Sequence, residues 1–321
     1  MVCCLATRQV SGLSNLFDCL RHVSAEVTLR FEPDALRVAE LAGTNTLYIY
    51  AELFATHFES YEHEHGDKAS AFVVSTQHVH TLLASITRRV RGDADVLLQL
   101  TFATKKGGRC GTLTLALLSA SAGEYDTTYE LPCRVAPQSA HDDEVQRRAA
   151  QLFTGAGYAH TMYMSQRHLS HLVSHVFPLG QYIELRCESQ AVHFSVTDKH
   201  AMISRAHVCF RMAAADTTDN DDGRAHDAKK RKVSAPTSQA GDADRTAVET
   251  TASPTFCFSQ PLLTMLVRAM SLYNTTAVLL PGDEDEAVIM RSTVGDLGTL
   301  SVAIAQVITT SDADEDEALD E

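Results

Sequence analysis

Three features of the sequence predict an α+β fold of short antiparallel strands with few helices. One amphipathic helical pattern occurs four times. Each occurrence follows a strand-like run and precedes two or three more. Turn residues separate the strands at short intervals, which leaves room for hairpins and meanders and little for long crossover helices.

The helical pattern places apolar residues at offsets 4, 7, 8 and 11 from a small residue, which puts them on one face of a helix about three turns long. From Gly12 these are Leu16, Cys19, Leu20 and Val23, and from Ser75 they are Val79, Leu82, Leu83 and Ile86. From Ser165 they are Leu169, Leu172, Val173 and Val176, and from Ser259 they are Leu263, Leu266, Val267 and Met270. Ser75, Ser165 and Ser259 stand where an N-cap belongs, with a hydroxyl able to accept a first-turn amide.

Strands are expected after each helix: Glu26 to Phe31, Ala35 to Leu41 and Thr46 to Leu53, divided by Glu32-Pro33-Asp34 and Gly43. The second set is Asp95 to Ala103, Gly111 to Leu118 and Thr127 to Val135, with Lys106-Gly107-Gly108-Arg109 as a hairpin turn. The third is Tyr182 to Cys187, Ala191 to Val196 and Ala201 to Phe210; the fourth is Ala277 to Pro281, Ala287 to Arg291 and Gly298 to Val307. The unit is strand, helix, then a meander, used four times, with helices packed on one face of the sheets.

Two interruptions divide the chain. Residues 136–157 are polar and charged and read as a linker between domains at 1–135 and 158–308; only Leu152-Phe153 could supply apolar anchors there. Residues 213–254 contain no Leu, Ile, Met or aromatic residue, so they cannot bury enough apolar surface to offset the entropy of ordering, and a disordered loop is expected. A tail at 309–321 is acidic: Asp312 to Glu321 hold seven acids and no base, so the formal charge of −14 less those seven leaves −7 for the rest.

No stretch approaches 18 uninterrupted apolar residues, and the start, Met1-Val2-Cys3-Cys4-Leu5-Ala6-Thr7-Arg8, lacks the apolar core of a secretory signal, so a soluble intracellular protein without membrane contact is expected. Eight cysteines form no C-x-x-C pair, and reduced, half-buried thiols are the reading. G-x-S-x-G, G-x-x-x-x-G-K-[ST] and H-E-x-x-H are absent, and Lys105-Lys106-Gly107-Gly108 joins two strands instead of opening a helix. The acidic pair Asp142-Asp143 lies in the linker, where nothing would perturb its pKa values. Neither an enzyme nor a cofactor is expected.

Two domains, each of two such units, resemble the DNA sliding-clamp family over roughly residues 3 to 308. Three phrases resemble the Hus-type subunit of the heterotrimeric checkpoint clamp in particular. They are Thr28-Leu29-Arg30-Phe31-Glu32-Pro33-Asp34-Ala35-Leu36; Ala51-Glu52-Leu53 with Phe58-Glu59-Ser60-Tyr61; and Leu113-Thr114-Leu115 through Leu118-Ser119, ending in Tyr129-Glu130-Leu131-Pro132 and Val135-Ala136-Pro137. The charged connector at 136–157 and the long loop at 213–254 depart from the family pattern.

The resemblance implies a ring whose helices line the interior around double-stranded DNA, two other clamp-like subunits, an ATP-driven clamp loader, and a role as a platform for damage signalling and repair. A homo-oligomeric replicative processivity clamp is the alternative, as is a herpesvirus-type processivity subunit that binds DNA without closing a ring.

A sliding surface must attract phosphates weakly without reading bases. The candidate DNA-facing residues are Arg21 on the first helix, Arg88, Arg89 and Arg91 at the end of the second, Arg167, His168 and His171 on the third, and Arg268 on the fourth. His168, His171 and His175 share a helical face at i, i+3, i+7 without a nearby carboxylate or cysteine, so a polar face is read there and no metal site is assigned. Lys229, Lys230, Arg231 and Lys232 form an exposed cationic run in the 213–254 loop, a nuclear-import signal that points to the nucleus.

Overall fold

In the computed structural model, residues 2–42, 46–63, 70–90, 96–104, 108–119, 127–136, 147, 152–153, 158, 160–188, 191–198, 201–211, 255–281 and 287–306 are described. The 213–254 loop with Lys229, Lys230, Arg231 and Lys232 lies outside them, as do Arg91, Lys105 to Gly107, most of the 136–157 connector and the 309–321 tail.

Helix α1 spans Val10–Val23, α2 Thr76–Arg89, α3 Gln166–His171 and α4 Gln260–Met270. The stripes point inward: Leu16, Cys19 and Leu20 of α1, Val79, Leu83 and Ile86 of α2, and Leu263, Leu266, Val267 and Met270 of α4 are buried. Ser75 accepts a long hydrogen bond from the His78 amide at 3.5 Å, and Ser165 accepts one from the His168 amide at 3.4 Å. Ser259 makes no such bond, contrary to the capping expectation. Pro261 in that first turn has no N–H, so one fewer unpaired amide needs a cap.

The third helix also differs from the expected three regular turns. It continues as a π turn over Leu172–Val176 and a 3-10 turn over Phe177–Leu179. Pro178 cannot donate to the Ser174 carbonyl and would crowd it in a regular helix. The altered turns still bury Leu172, Val173, Val176 and Phe177.

The strands are β1 Val2–Thr7, β2 Glu26–Phe31, β3 Ala35–Ala42, β4 Leu47–Phe54, β5 Ser60–His63, β6 Ser70–Ser75, β7 Val96–Thr104, β8 Cys110–Ser119 and β9 Thr127–Val135. Then come β10 His160–Ser165, β11 Tyr182–Glu188, β12 Ala191–Asp198, β13 Ala201–Arg211, β14 Thr255–Ser259, β15 Thr275–Leu280, β16 Val288–Thr293 and β17 Gly298–Ile304. Strand, helix and three strands thus follow one another four times, with β5 as an additional short strand. Every pairing is antiparallel, in one sheet of order β10-β15-β16-β17-β4-β3-β2-β6-β9-β8-β7-β1-β5 and a second of order β13-β12-β11-β14.

The first and last parts of the chain meet at β4 and β17, paired in register from Leu53↔Gly298 to Leu47↔Ile304. Helices cover one side of these strands. α1 packs beside α2 and α4, and α4 packs beside α3, giving a layer in the order α2-α1-α4-α3. Beneath it Phe31, Phe72 and Phe102 interlock, with ring centroids 5.0–5.9 Å apart. No helix among the described residues is long and apolar enough to cross a membrane.

Alternation along the strands sends a second, smaller apolar cluster to the face away from the helices. Ala39, Tyr50, Leu279, Ile289 and Ala303 form it, and Phe153 of the connector closes it. Burying one phenylalanine there is worth about 1.5–3 kcal/mol. The seven described free cysteines are more varied than the half-buried thiols expected, since Cys110 and Cys209 are exposed. Burial pushes the Cys133 thiol up to about 11.

Candidate nucleic-acid interface

The four helices and the two turns after α3 contain five arginines, Arg21, Arg88, Arg89, Arg167 and Arg268, but a single carboxylate, Asp18. The whole chain has 41 acids to 27 bases, so the helix layer inverts the balance of the protein. Such a surface attracts phosphates without presenting an ordered pattern of base-reading groups.

The candidates are not equivalent. Arg88 and Arg89 are exposed at the end of α2, and Arg89 Nη1 donates to Thr127 Oγ1 at the start of β9 at 3.2 Å. Arg167 is exposed in the first turn of α3, and Arg268 is exposed in the last turn of α4; neither has a carboxylate partner among the described residues. The His168 ring packs against Phe210 of β13, with centroids 5.2 Å apart, which ties it to the neighbouring sheet. His171 lies beside His175 at 5.0 Å. Among the described residues no group of three or more His, Cys, Asp or Glu is arranged to hold a metal ion.

Arg21 is the least available cation. Its Nε donates to Asp18 Oδ1 at 2.6 Å, one turn back on the same helix. The same oxygen faces His22 Nε2 at 3.8 Å and His80 Nε2 of α2 at 3.5 Å. Asp18 is thus the anionic centre of a polar knot on α1 and α2, and Arg268 of α4 is close enough to act electrostatically on His22. Below the knot burial, reinforced by Asp18, pushes the Cys19 thiol up to about 12, so it stays uncharged. The buried Tyr273 hydroxyl is held well above its ordinary range, first by burial and then by Cys19 and Asp18.

Asp18→Asn should strengthen DNA binding, because it frees the Arg21 charge. The slope of log affinity against log salt should steepen by roughly one contact, or about 0.9. A salt titration of DNA binding checks this, and an unchanged slope would show that Arg21 does not reach phosphate.

The knot also predicts acid sensitivity. Burial, and next the adjacent Arg21, lower the His22 pKa in the folded chain, against a partial opposing effect of Asp18. The unfolded chain therefore takes up this proton first as pH falls below about 6.5. Stability from this site is complete above that pH and is lost towards the lower folded value. His22→Gln should flatten the decline in melting temperature between roughly pH 7 and 5.

His22, His78 and His80 were not among the sequence-derived candidates, although all three lie on helices of this layer. The i, i+4 spacing of Asp18 and His22 was available as a signal; the approach of His80 from another helix was not.

No protein-family model matches the chain. Over 61 residues it is 33% identical to the probable DNA polymerase sliding clamp 1 of Paramecium bursaria Chlorella virus 1. That similarity covers 19% of this chain and 23% of the viral protein.

Proposed function

We propose that this chain is a non-enzymatic subunit of a DNA sliding clamp, held on duplex DNA by enclosure and weak phosphate attraction. The observation that carries the reading is the inverted charge of the helix layer, with five arginines against Asp18 in a chain of formal charge −14. The local similarity to a viral sliding clamp supports it. In this reading residues 1–135 and 158–308 are the two clamp domains, and the helices face the enclosed DNA.

Strand edges offer a means of closing a ring. β13 ends the four-stranded sheet, so one of its edges lacks a strand partner among the described residues. On β9, Thr127 to Cys133 pair with β8 alone, because the β6 side is met only at Arg134 and Val135. Such edges suit joining by strand addition.

The finer reading is the checkpoint form, resting on the three phrases at 28–36, 51–61 and 113–137. The ring then contains two unlike clamp-like subunits, is opened by an ATP-driven loader, and acts in the nucleus as a platform for damage signalling and repair, with Lys229 to Lys232 directing import. A homo-oligomeric replicative clamp is the second reading, favoured by the similarity to a viral DNA polymerase sliding clamp.

Light scattering on the purified chain, followed by identification of proteins recovered with it from extract, separates the two. A monomer recovering two unlike clamp-like chains supports the checkpoint form. A self-assembled ring rejects it in favour of the replicative form, and a monomer recovering no clamp-like chain counts against both.

A further inference from the structure

The outer face of the four-stranded sheet carries a thiol in contact with two imidazoles. Ile183, Leu185, Val192 and Phe194 are buried, so strand alternation turns their neighbours Glu184, Arg186, His193 and Ser195 to the opposite face. Register sets Arg186 of β11, His193 of β12 and Cys209 of β13 in one cross-strand row, and Glu184, Ser195 and His207 in the next. His193 is half-buried, whereas His207 and Cys209 are exposed. His193 Nδ1 lies 2.9 Å from His207 Nε2, and the two rings stack at 5.0 Å and 24°. On the other edge of the His193 ring, Nε2 faces Cys209 Sγ at 3.9 Å. One ion could not replace both contacts, because they leave from opposite edges of the ring. The array is suited instead to moving a proton.

We propose that Cys209 is a redox-modification site, activated by the His193–His207 pair, that forms a mixed disulfide with a small anionic disulfide of the glutathione type. With its own proton on Nδ1, His193 donates to His207 and presents a bare Nε2 to the thiol. His193 takes the thiol proton, and the Cys209 thiolate attacks one sulfur of the small disulfide. A new S–S bond forms as the old one breaks, and the departing thiolate recovers the proton from His193. The Cys209 sulfur is oxidised and the departing sulfur is reduced, so no further oxidant is needed. Arg186, exposed in the same row, supplies a cation for the carboxylates of the incoming molecule. An internal disulfide does not compete with Cys257, the half-buried thiol of β14. The strand order β13-β12-β11-β14 puts three strand spacings, about 14 Å, between their strands, and a disulfide requires Cα atoms within roughly 7 Å. A strand added to the β13 edge would lie in the plane of the sheet, whereas Cys209 projects from its face. This inference does not depend on the clamp reading, and its test contains no DNA.

The test treats the reduced full-length chain with glutathione disulfide at pH 7 and follows each cysteine by peptide mass mapping. Cys110 is the internal reference, since it is exposed and pairs across the strands with Arg134 but has no imidazole bonded to it among the described residues. Cys209 should react at least about threefold faster than Cys110, because the gain in thiolate outweighs the accompanying loss of nucleophilicity. His193→Gln should bring Cys209 down to the rate of Cys110, and His207→Ala should lower it part of the way. Between pH 6 and 8 the Cys209 rate should rise less steeply in the natural chain than in His193→Gln. Among the described residues, the charged or titratable neighbours of His193 on this face are Arg186 and Glu184 of β11 and His207 and Cys209 of β13. Arg186→Gln should slow glutathione disulfide by about twofold and leave uncharged hydroxyethyl disulfide unaffected. Equal rates at Cys209 and Cys110 in the natural chain would overturn the proposal whether or not the variants fold. An unchanged Cys209 rate in a folded His193→Gln chain would overturn the activation, and an unchanged glutathione disulfide rate in Arg186→Gln would overturn the anionic class.

Discussion

Gly298→Ala should destabilise the chain by roughly 3 kcal/mol, at the upper end of what overpacking costs. A Cβ at Gly298 would lie 2.0 Å from the Glu52 carbonyl oxygen and 2.8 Å from the Leu53 Cα. Both are backbone atoms of β4, so the clash cannot be relieved by turning a side chain. Relief requires separating the strands where the Leu53↔Gly298 pair begins their ladder, and there the Phe54 amide donates to the Leu297 carbonyl at 2.9 Å. Gly12→Ala is the contrasting variant. Its Cβ would meet the Val294 carbonyl at 3.4 Å, an ordinary contact, and alanine favours the helix, so a change within about 1 kcal/mol is expected. Urea denaturation of both variants checks the difference. Near-equal stabilities would mean that β4 and β17 are not paired as described.

The second large effect is on DNA. Reversing two charges with Arg167→Glu and Arg268→Glu should weaken binding by more than about tenfold at low salt. It should also flatten the salt slope by roughly two contacts at about 0.9 each. Both side chains are exposed and have no carboxylate partner among the described residues, so circular dichroism and melting should change little. Arg186→Glu serves as the control. Arg186 is exposed on β11, whose Ile183 and Leu185 point into the core, so it lies on the side of the sheet away from the helices. Retention of DNA by that variant alone would localise the effect to the helix layer.

Local pattern carried most of the fold. The stripes located α1 to α4, because an amphipathic helix must bury one face wherever it lies. β2 and β9 coincide with their expected bounds, and most other strands differ by one or two residues. β5 went unrecognised because four residues, Ser60–His63, are too few to display alternation; Tyr61 anchors it through its hydroxyl, which donates to the Glu32 and Ala35 carbonyls at 2.9 Å.

Long-range facts had little local signature. Nothing near Leu47 marks it as the partner of Ile304, and only the glycine at 298 hints that two backbones approach. In the candidate interface, the Asp18–Arg21 pair could be anticipated from its i, i+3 spacing, whereas the arrival of His80 from α2 depended on helix packing. The connector is polar as a whole, yet Phe153 packs into the outer cluster with Leu152 against it.

Topological retention is the most direct measurement of the central claim. The assembly formed by the full chain, with any clamp-like chains it recovers, is placed on closed circular duplex DNA with a loader-containing extract and isolated by gel filtration. Protein should remain with the circle at moderate salt and leave when a single restriction cut linearises the DNA, and it should be kept on linear DNA only when both ends are blocked. Equal retention on circular, open linear and end-blocked DNA would mean that the protein binds the surface of the duplex without enclosing it, and would contradict the account.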